Sequence, residues 1–268
     1  MQRVCSLGLR FGGRGWAERR AADVDVSDYS RVMQAPLLVA VAQPRCAAKD
    51  MHSNARAHAE LIRRARARVV IFPELSLTGY ELDADPIALD DCVLDIVVRA
   101  CEETQSVALV GAPIRGLGSG AYIGLLHVSA TGVTVVYRKC FLGGGEPAHF
   151  LPGDGPVVIE VDSWRVGLGI CKDTGVEQHI SETAALNVDV YLAGLVHLPT
   201  ELEIQEQRAR RIAQACNSYV GFASFAGATG GGFDHTAGVS SLWSPAGSAI
   251  ARAGTGPDDF ARATLIHI

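Results

Sequence analysis

No CxxC pair occurs among the seven cysteines, which stand at positions 5, 46, 92, 101, 140, 171 and 216. Scattered and odd in number, they supply neither a zinc-binding set nor a disulfide framework. Reduced thiols in a cytoplasmic enzyme are therefore expected, and the lack of any Asn-x-Ser/Thr acceptor agrees with that. No apolar run reaches the ~18 residues that a bilayer span requires, so no membrane attachment is expected. A strong charge imbalance is missing too: 24 Lys and Arg stand against 29 Asp and Glu, a net −5. That leaves no electrostatic footprint for nucleic acid, which favours a basic patch. HExxH, a P-loop and GxSxG are all absent, which removes the usual sequence signals of a zinc protease, a nucleotide phosphatase and a serine hydrolase.

The chain has 268 residues, 48% hydrophobic and 20% charged. That is enough apolar surface for one large core. Residues 1–35 differ from the rest: they hold six arginines and little apolar periodicity, without the uninterrupted apolar stretch of a secretory signal. A poorly structured extension is expected there, with a translation start at Met33 as the alternative. From residue 36 onward strands and helices alternate. Leu37–Ala42 reads as a buried strand, and Ala55, Ala59, Ile62 and Ala65 define a helix face with Asp50 or Ser53 as its cap. Val69–Phe72 is a second strand. Leu89, Val93, Ile96, Val97 and Ala100 mark a second helix face. A strand follows at Val107–Val110, ending at Gly111. Ile123–Ser129 and Val133–Arg138 form a hairpin around Thr131-Gly132. Val157–Val161 and Trp164–Ile170 are a further pair. Helices at Ile180–Leu186 and Glu203–Cys216 alternate with strands at Val188–Leu192 and Tyr219–Phe225. Val239–Trp243, Ser248–Arg252 and Thr264–Ile268 close the chain. The pattern is α/β with mixed strand pairing.

Three strand ends carry reactive side chains: Phe72-Pro73-Glu74, Tyr137-Arg138-Lys139 and Gly169-Ile170-Cys171. In α/β folds, sites gather at the carboxyl ends of strands. A thiol, a carboxylate and an ammonium there make a candidate nucleophile, general base and oxyanion stabiliser. Lysine also favours the thiolate by direct attraction. Glu146 is a second carboxylate close to the same place. Each residue taken alone reads more simply: a small core cysteine, a turn, a solvated strand end. Their joint occurrence is what singles them out.

The same stretches resemble the nitrilase superfamily of carbon–nitrogen hydrolases. Val39-Ala40-Val41-Ala42-Gln43 is similar to its opening strand. Phe72-Pro73-Glu74-Leu75 with Thr78-Gly79-Tyr80 resembles the first motif, Tyr137-Arg138-Lys139-Cys140-Phe141-Leu142 the second, and Gly169-Ile170-Cys171-Lys172-Asp173 the third. Glu146 with Phe150 and Pro152-Gly153-Asp154 resembles the stretch that holds a second glutamate. The resemblance covers residues 37–268. It implies a four-layer α-β-β-α sandwich with mixed sheets, assembled as a homodimer or larger homo-oligomer. It implies hydrolysis of a nonpeptide C–N bond in a small molecule through a thioester, with no metal and no organic cofactor. Cys171 is then the nucleophile, Glu74 the general base, and Lys139 with the backbone N–H of Lys172 the oxyanion site. Glu146 orients substrate or Glu74, while Asp173 and His197 are further substrate-side candidates.

Some positions depart from the family pattern. Thr174-Gly175-Val176-Glu177-Gln178 lacks the usual proline, Phe141 stands where a polar residue is common, and Ala215-Cys216 where a Glu-Asn pair is. These fall on the expected pocket and assembly surface. An amidase acting on a small amide or N-carbamoyl compound is the leading expectation. A nitrile hydrolase, a catalytically weak binding or regulatory member, and a thiol redox sensor at Cys171 are its rivals. Gly116-Leu117-Gly118-Ser119-Gly120 opens no helix and reads as a loop rather than a nucleotide fingerprint. Gly230-Gly231-Gly232 reads as a loop too, or as a lid over the site.

Overall fold

The computed structural model describes residues 35–116 and 120–267. The expected N-terminal extension and the centre of the 116–120 glycine stretch lie outside the described residues.

Strand β1 (Leu37–Gln43) shows how the layers arise. Successive strand residues face opposite sides. Val39 and Val41 therefore enter one apolar cluster, and Ala40 and Ala42 another. The same split recurs at β2 (Val69–Ile71), β3 (Val107–Arg115), β4 (Ala121–Ser129) and β5 (Gly132–Arg138). With β14 (Asp259–Leu265) these form a six-stranded sheet, in the order β14-β1-β2-β3-β4-β5. β1, β2 and β3 run parallel; β14, β4 and β5 join antiparallel to their neighbours.

The second sheet repeats the plan. Its order is β13-β12-β9-β8-β7-β6, from β6 (Val158–Val161), β7 (Trp164–Ile170), β8 (Val190–Leu195), β9 (Tyr219–Ser224), β12 (Ser241–Trp243) and β13 (Ala249–Arg252). Here β7, β8 and β9 are the parallel centre. The largest cluster, including Val41, Ile71, Leu109, Leu168, Ile170 and Leu192, is contributed by the facing sides of both sheets.

Helices cover the outer faces. α1 (Met51–Ala65) and α2 (Asp95–Thr104) pack on the first sheet, α3 (Glu177–Ala185) and α4 (Leu202–Cys216) on the second. Asp50 caps α1 by accepting the Ser53 N–H at 3.0 Å. Ala55, Ala59, Ile62 and Ala65 are all buried, as their spacing predicts. On α4 the buried set is Gln205, Ala209, Ile212 and Ala213. The result is an α-β-β-α sandwich.

Four local differences from the sequence reading have physical causes. β3 does not stop at Gly111 but runs on to Arg115. That glycine marks a close backbone approach rather than a strand end. β14 begins at Asp259, because it pairs along the whole of β1 down to Gln43. Leu89 precedes the second helix and is 44% exposed. A short ribbon, β10 (Ala226–Gly227) with β11 (Thr236–Ala237), closes the 228–235 loop. Among the described residues no helix is long and apolar enough to cross a membrane.

Candidate active site

β5 runs antiparallel to β4, which runs antiparallel to β3. The carboxyl ends of β2, β3 and β5 therefore lie along one edge of the first sheet. Glu74 follows β2 there, Lys139 follows β5, and Cys171 comes to them from the end of β7 in the second sheet. The expected three residues are brought together.

The segment bearing Glu74 lies in a slot that two glycines leave open. A Cβ on Gly111 of β3 would stand 2.2 Å from the Pro73 carbonyl oxygen and 2.6 Å from the Leu75 nitrogen. A Cβ on Gly194 of β8 would stand 2.6 Å from the Phe72 oxygen and 2.8 Å from the Glu74 nitrogen. Each sheet thus contributes one glycine. Below the segment, His58 of α1 bridges the Asn54 carbonyl at 2.5 Å and the Ser76 hydroxyl at 2.8 Å. Burial lowers His58 to about 4, so the ring is neutral and its tie to Ser76 does not change near neutral pH.

Lys139 Nζ donates to Glu74 Oε1 at 2.6 Å and to Glu146 Oε1 at 2.7 Å. All three side chains are buried. Glu146 is held further by Tyr80, whose hydroxyl donates to Oε1 at 3.1 Å, and by the Gly143 N–H, which donates to Oε2 at 2.7 Å. Glu74 Oε2 is buried with no hydrogen-bond partner. Two acids share one cation, so one carboxyl is poised to carry a proton. Burial, the largest influence, pushes Glu74 up to about 7; Lys139 opposes that rise and Glu146 adds to it. For Lys139, burial works against the charge, but Glu74, Cys171 and Glu146 outweigh it and hold the ammonium above its ordinary range.

Cys171 takes a φ of +41° at the strand-to-turn junction. This left-handed conformation is rare for a residue with a side chain. Its Sγ lies 3.7 Å from the Val196 carbonyl oxygen. Burial first, and Glu74 second, push the thiol up to about 12 against the pull of Lys139. The expected stabilisation of a thiolate by Lys139 is present but outweighed.

Asp173 occupies a different place from a substrate contact. It is buried and accepts from the Phe141 N–H at 2.9 Å, the Ile170 N–H at 3.0 Å and the Tyr137 hydroxyl at 2.8 Å. It thereby ties the Lys139 turn to the Cys171 turn. Burial raises its pKa, while His179 and these donors oppose the rise. Cys140, Asp173 and His179 bring ligand-type atoms within 4.8 Å of one another. The Tyr137 hydroxyl sits among them, 3.2 Å from Cys140 Sγ and 2.8 Å from both Asp173 Oδ2 and His179 Nε2. A hydroxyl thus fills the centre that a cation would take.

The cavity above Cys171 has a volume of about 430 Å³. Lys139, Glu146 and Cys171 lie in its lining, with Tyr80, Leu82, Val196, Leu198 and Phe233 as its larger apolar walls. Lys172 also borders it. His197 does not: its Nδ1 lies 3.1 Å from Gln205 Oε1 of α4, and its neighbours Val196 and Leu198 face the cavity instead. In extended backbone, alternate residues point to opposite sides. The 230–232 loop does border the site. The Gly230 N–H donates to the Gly79 carbonyl at 2.5 Å, and Phe233 packs edge-on to Tyr80 at 5.2 Å. Tyr80 carried no role in the sequence reading beyond its place in the Thr78-Gly79-Tyr80 motif, and Phe233 none at all; the adjoining glycine run was the available signal.

Residues 38–266 match the family model "Carbon-nitrogen hydrolase". The Glutamine-dependent NAD(+) synthetase of Aquifex aeolicus is 24% identical over 213 residues, which cover 75% of this chain and 37% of that protein. The chain thus spans little more than a third of that relative's length. Among solved structures, Saccharomyces cerevisiae Nit3, of branch 10 of the nitrilase superfamily, has the same fold with a TM-score of 0.77 at 20% identity, covering 88% of this chain and 91% of that one. The NitN amidase of Nesterenkonia sp. AN1 also superposes with a TM-score of 0.77 at 20% identity, covering 86% and 93%; a solved variant of that amidase carries an acrylamide adduct at its active-site cysteine. By the extent of the family match, the chain belongs to the carbon–nitrogen hydrolases.

Proposed function

We propose that the protein is an amidase: it hydrolyses the C–N bond of a small amide through a thioester on Cys171. The observation that carries this is the Lys139 ammonium held between Glu74 and Glu146 in the lining of the cavity that Cys171 borders. A cation fixed in a dry site, aimed at the place where negative charge develops, is the strongest single aid to acyl transfer.

The steps follow from the charges. At rest the thiol keeps its proton, since burial holds it well above neutral pH. As sulfur attacks the amide carbon, the proton passes to Glu74, whose raised pKa suits it to accept and return a proton near pH 7. The carbonyl oxygen gains negative charge beside Lys139 and the backbone N–H of Lys172. Collapse breaks the C–N bond, and Glu74 returns the proton to the departing nitrogen, releasing ammonia. Glu74 then takes a proton from water, which attacks the thioester. The acid leaves, and the proton goes back to Cys171. Glu146 stays bound to Lys139 throughout and fixes the ammonium's direction.

Ammonia release from a panel of small aliphatic amides tests the reading, with Cys171→Ala and Glu74→Gln beside the wild type. Both variants should fold and lose turnover by at least ~10³. Turnover that survives Cys171→Ala would refute the covalent route.

A further inference from the structure

The two acids on Lys139 are not held alike. Glu146 accepts from three donors: Lys139 Nζ at 2.7 Å, the Gly143 N–H at 2.7 Å and the Tyr80 hydroxyl at 3.1 Å. Glu74 accepts from Lys139 alone among the described residues, and its Oε2 has no partner. Lys139 serves both acids and Gly143 gives a backbone N–H, so Tyr80 is the side chain that separates them. Tyr80 is itself held in an uncommon way. Its φ is +60°, an outlier for a bulky residue, and such outliers persist where the surroundings over-determine them. Here the surroundings are Phe225 and the 228–235 loop. The Gly79 carbonyl accepts the Gly230 N–H at 2.5 Å and the Thr229 hydroxyl at 2.9 Å. A Cβ on Gly231 would stand 2.7 Å from the Tyr80 carbonyl oxygen, so the loop backbone lies against this residue. Phe233 and Phe225 meet the Tyr80 ring edge-on at 5.2 and 6.3 Å. Burial keeps the phenol protonated far above neutral pH, so its hydroxyl stays a donor there.

We propose that Tyr80 is a positioning residue of the site: its hydroxyl engages Glu146 so that Lys139 Nζ stays shared with Glu74, and the 228–235 loop holds Tyr80 in place for this. For its catalytic consequence the assignment rests on the amidase reading. The phenol meets part of the Glu146 charge. Without it, Glu146 draws more heavily on Lys139 and repels an ionised Glu74 more strongly. Glu74 then keeps its proton to higher pH. The other titratable groups that act on this set are Cys171 and Asp173, and the cavity lining adds Lys172 and Glu201.

Two pH profiles test it. One is kcat/KM for amide hydrolysis. The other needs no turnover: the rate at which iodoacetamide alkylates Cys171, followed by mass spectrometry of that peptide. Each should rise through an acid limb as Glu74 loses its proton and becomes able to take that of the thiol. Tyr80→Phe keeps the ring and its edge contacts. It should move both limbs to higher pH by about half a unit or more, a loss on the acid side at least threefold larger than on the plateau. In a Glu146→Gln background, read by alkylation, the same substitution should leave the limb in place, because no second charge remains to be met. Loss of a merely structural contact would instead lower the rate at every pH and in both backgrounds. Phe233→Ala tests the loop without altering Tyr80: it should shift the limb in the same direction, but not when Tyr80→Phe is already present. A limb that stays in place in Tyr80→Phe, or moves as far in the Glu146→Gln background, overturns the assignment. A Phe233→Ala shift that survives in Tyr80→Phe overturns the part given to the loop. Turnover with an unmoved limb leaves the amidase reading standing without Tyr80. Lack of all turnover together with a Tyr80-dependent alkylation limb would sink that reading and leave the positioning role intact.

Discussion

Alanine at Gly111 should disarm the site without touching any reactive group. The added Cβ would meet the Pro73 oxygen at 2.2 Å, the Leu75 nitrogen at 2.6 Å and the Glu74 carbonyl carbon at 3.0 Å. Carbon and oxygen approach no closer than about 3.3 Å in favourable contacts, so one backbone must move by about 1 Å. Both are backbone, and β3 is paired on both sides, so the Glu74 segment is what yields. Its bond to Lys139, 2.6 Å long, would stretch past hydrogen-bonding range. A misplacement of ~1 Å at a reacting group costs on the order of 10² in rate, and overpacking of this kind costs ~1–3 kcal/mol of stability. Alanine at Gly194 presses the same segment from the other sheet, but its nearest contact is 2.6 Å, so its effect should be smaller. Gly256, whose Cβ would meet nothing within 4 Å, is the control. The assay pairs ammonia release with thermal unfolding. If Gly111→Ala folds and keeps activity within threefold of wild type, the slot does not position Glu74 and the reasoning fails.

Three further outcomes are expected. Glu74 has a higher pKa folded than unfolded, so the folded state binds the extra proton, and stability falls as pH rises from about 4.5 to about 7. Glu74→Gln removes that dependence; its melting temperature relative to wild type should therefore climb across this window, and a constant difference would contradict the raised pKa. Lys139→Met leaves two buried carboxylates without their cation. Breaking such a set costs ~3–5 kcal/mol, which urea unfolding of wild type and variant side by side should show. Asp173→Asn turns one accepting oxygen into a donor, which then meets either the Phe141 N–H on one side or the Ile170 N–H and Tyr137 hydroxyl on the other. An orphaned buried N–H costs ~1–3 kcal/mol, so the melting temperature should drop by several degrees, and kcat should fall more than KM rises because the Lys139 and Cys171 turns lose their tie.

The α/β class and the three reactive strand ends were legible because both depend on local pattern; the four-layer order came only with the family resemblance. Val39 and Val41 face the other sheet and Ala40 and Ala42 the helices, but both pairs are apolar and buried, so the run reads as a strand without showing which side is which. Glu74, Lys139 and Cys171 each stand one to three residues beyond a strand end, where sites collect. What stayed hidden depends on partners distant in sequence. Gly111 looked like a strand end because nothing nearby shows that the Pro73-Glu74 backbone will lie against it. His197 looked like a pocket residue because its strand end leads to the site, yet Gln205 on α4 draws its ring away. Asp173 looked like a substrate contact until Phe141, Ile170 and Tyr137 were found around it.

On the proposed mechanism, burial is what suits Glu74 to its role. In water, Glu74 would sit near its ordinary value and could not return a proton to nitrogen at neutral pH. Burial raises it, and Lys139 sets the limit on that rise. Remove Glu146 from this balance and Lys139 would pair with Glu74 alone, drawing it down towards a spectator carboxylate. The second acid therefore has a reason to be present that needs no contact with substrate. It divides the cation's attraction, so that Glu74 is held by Lys139 without being fixed in its ionised form.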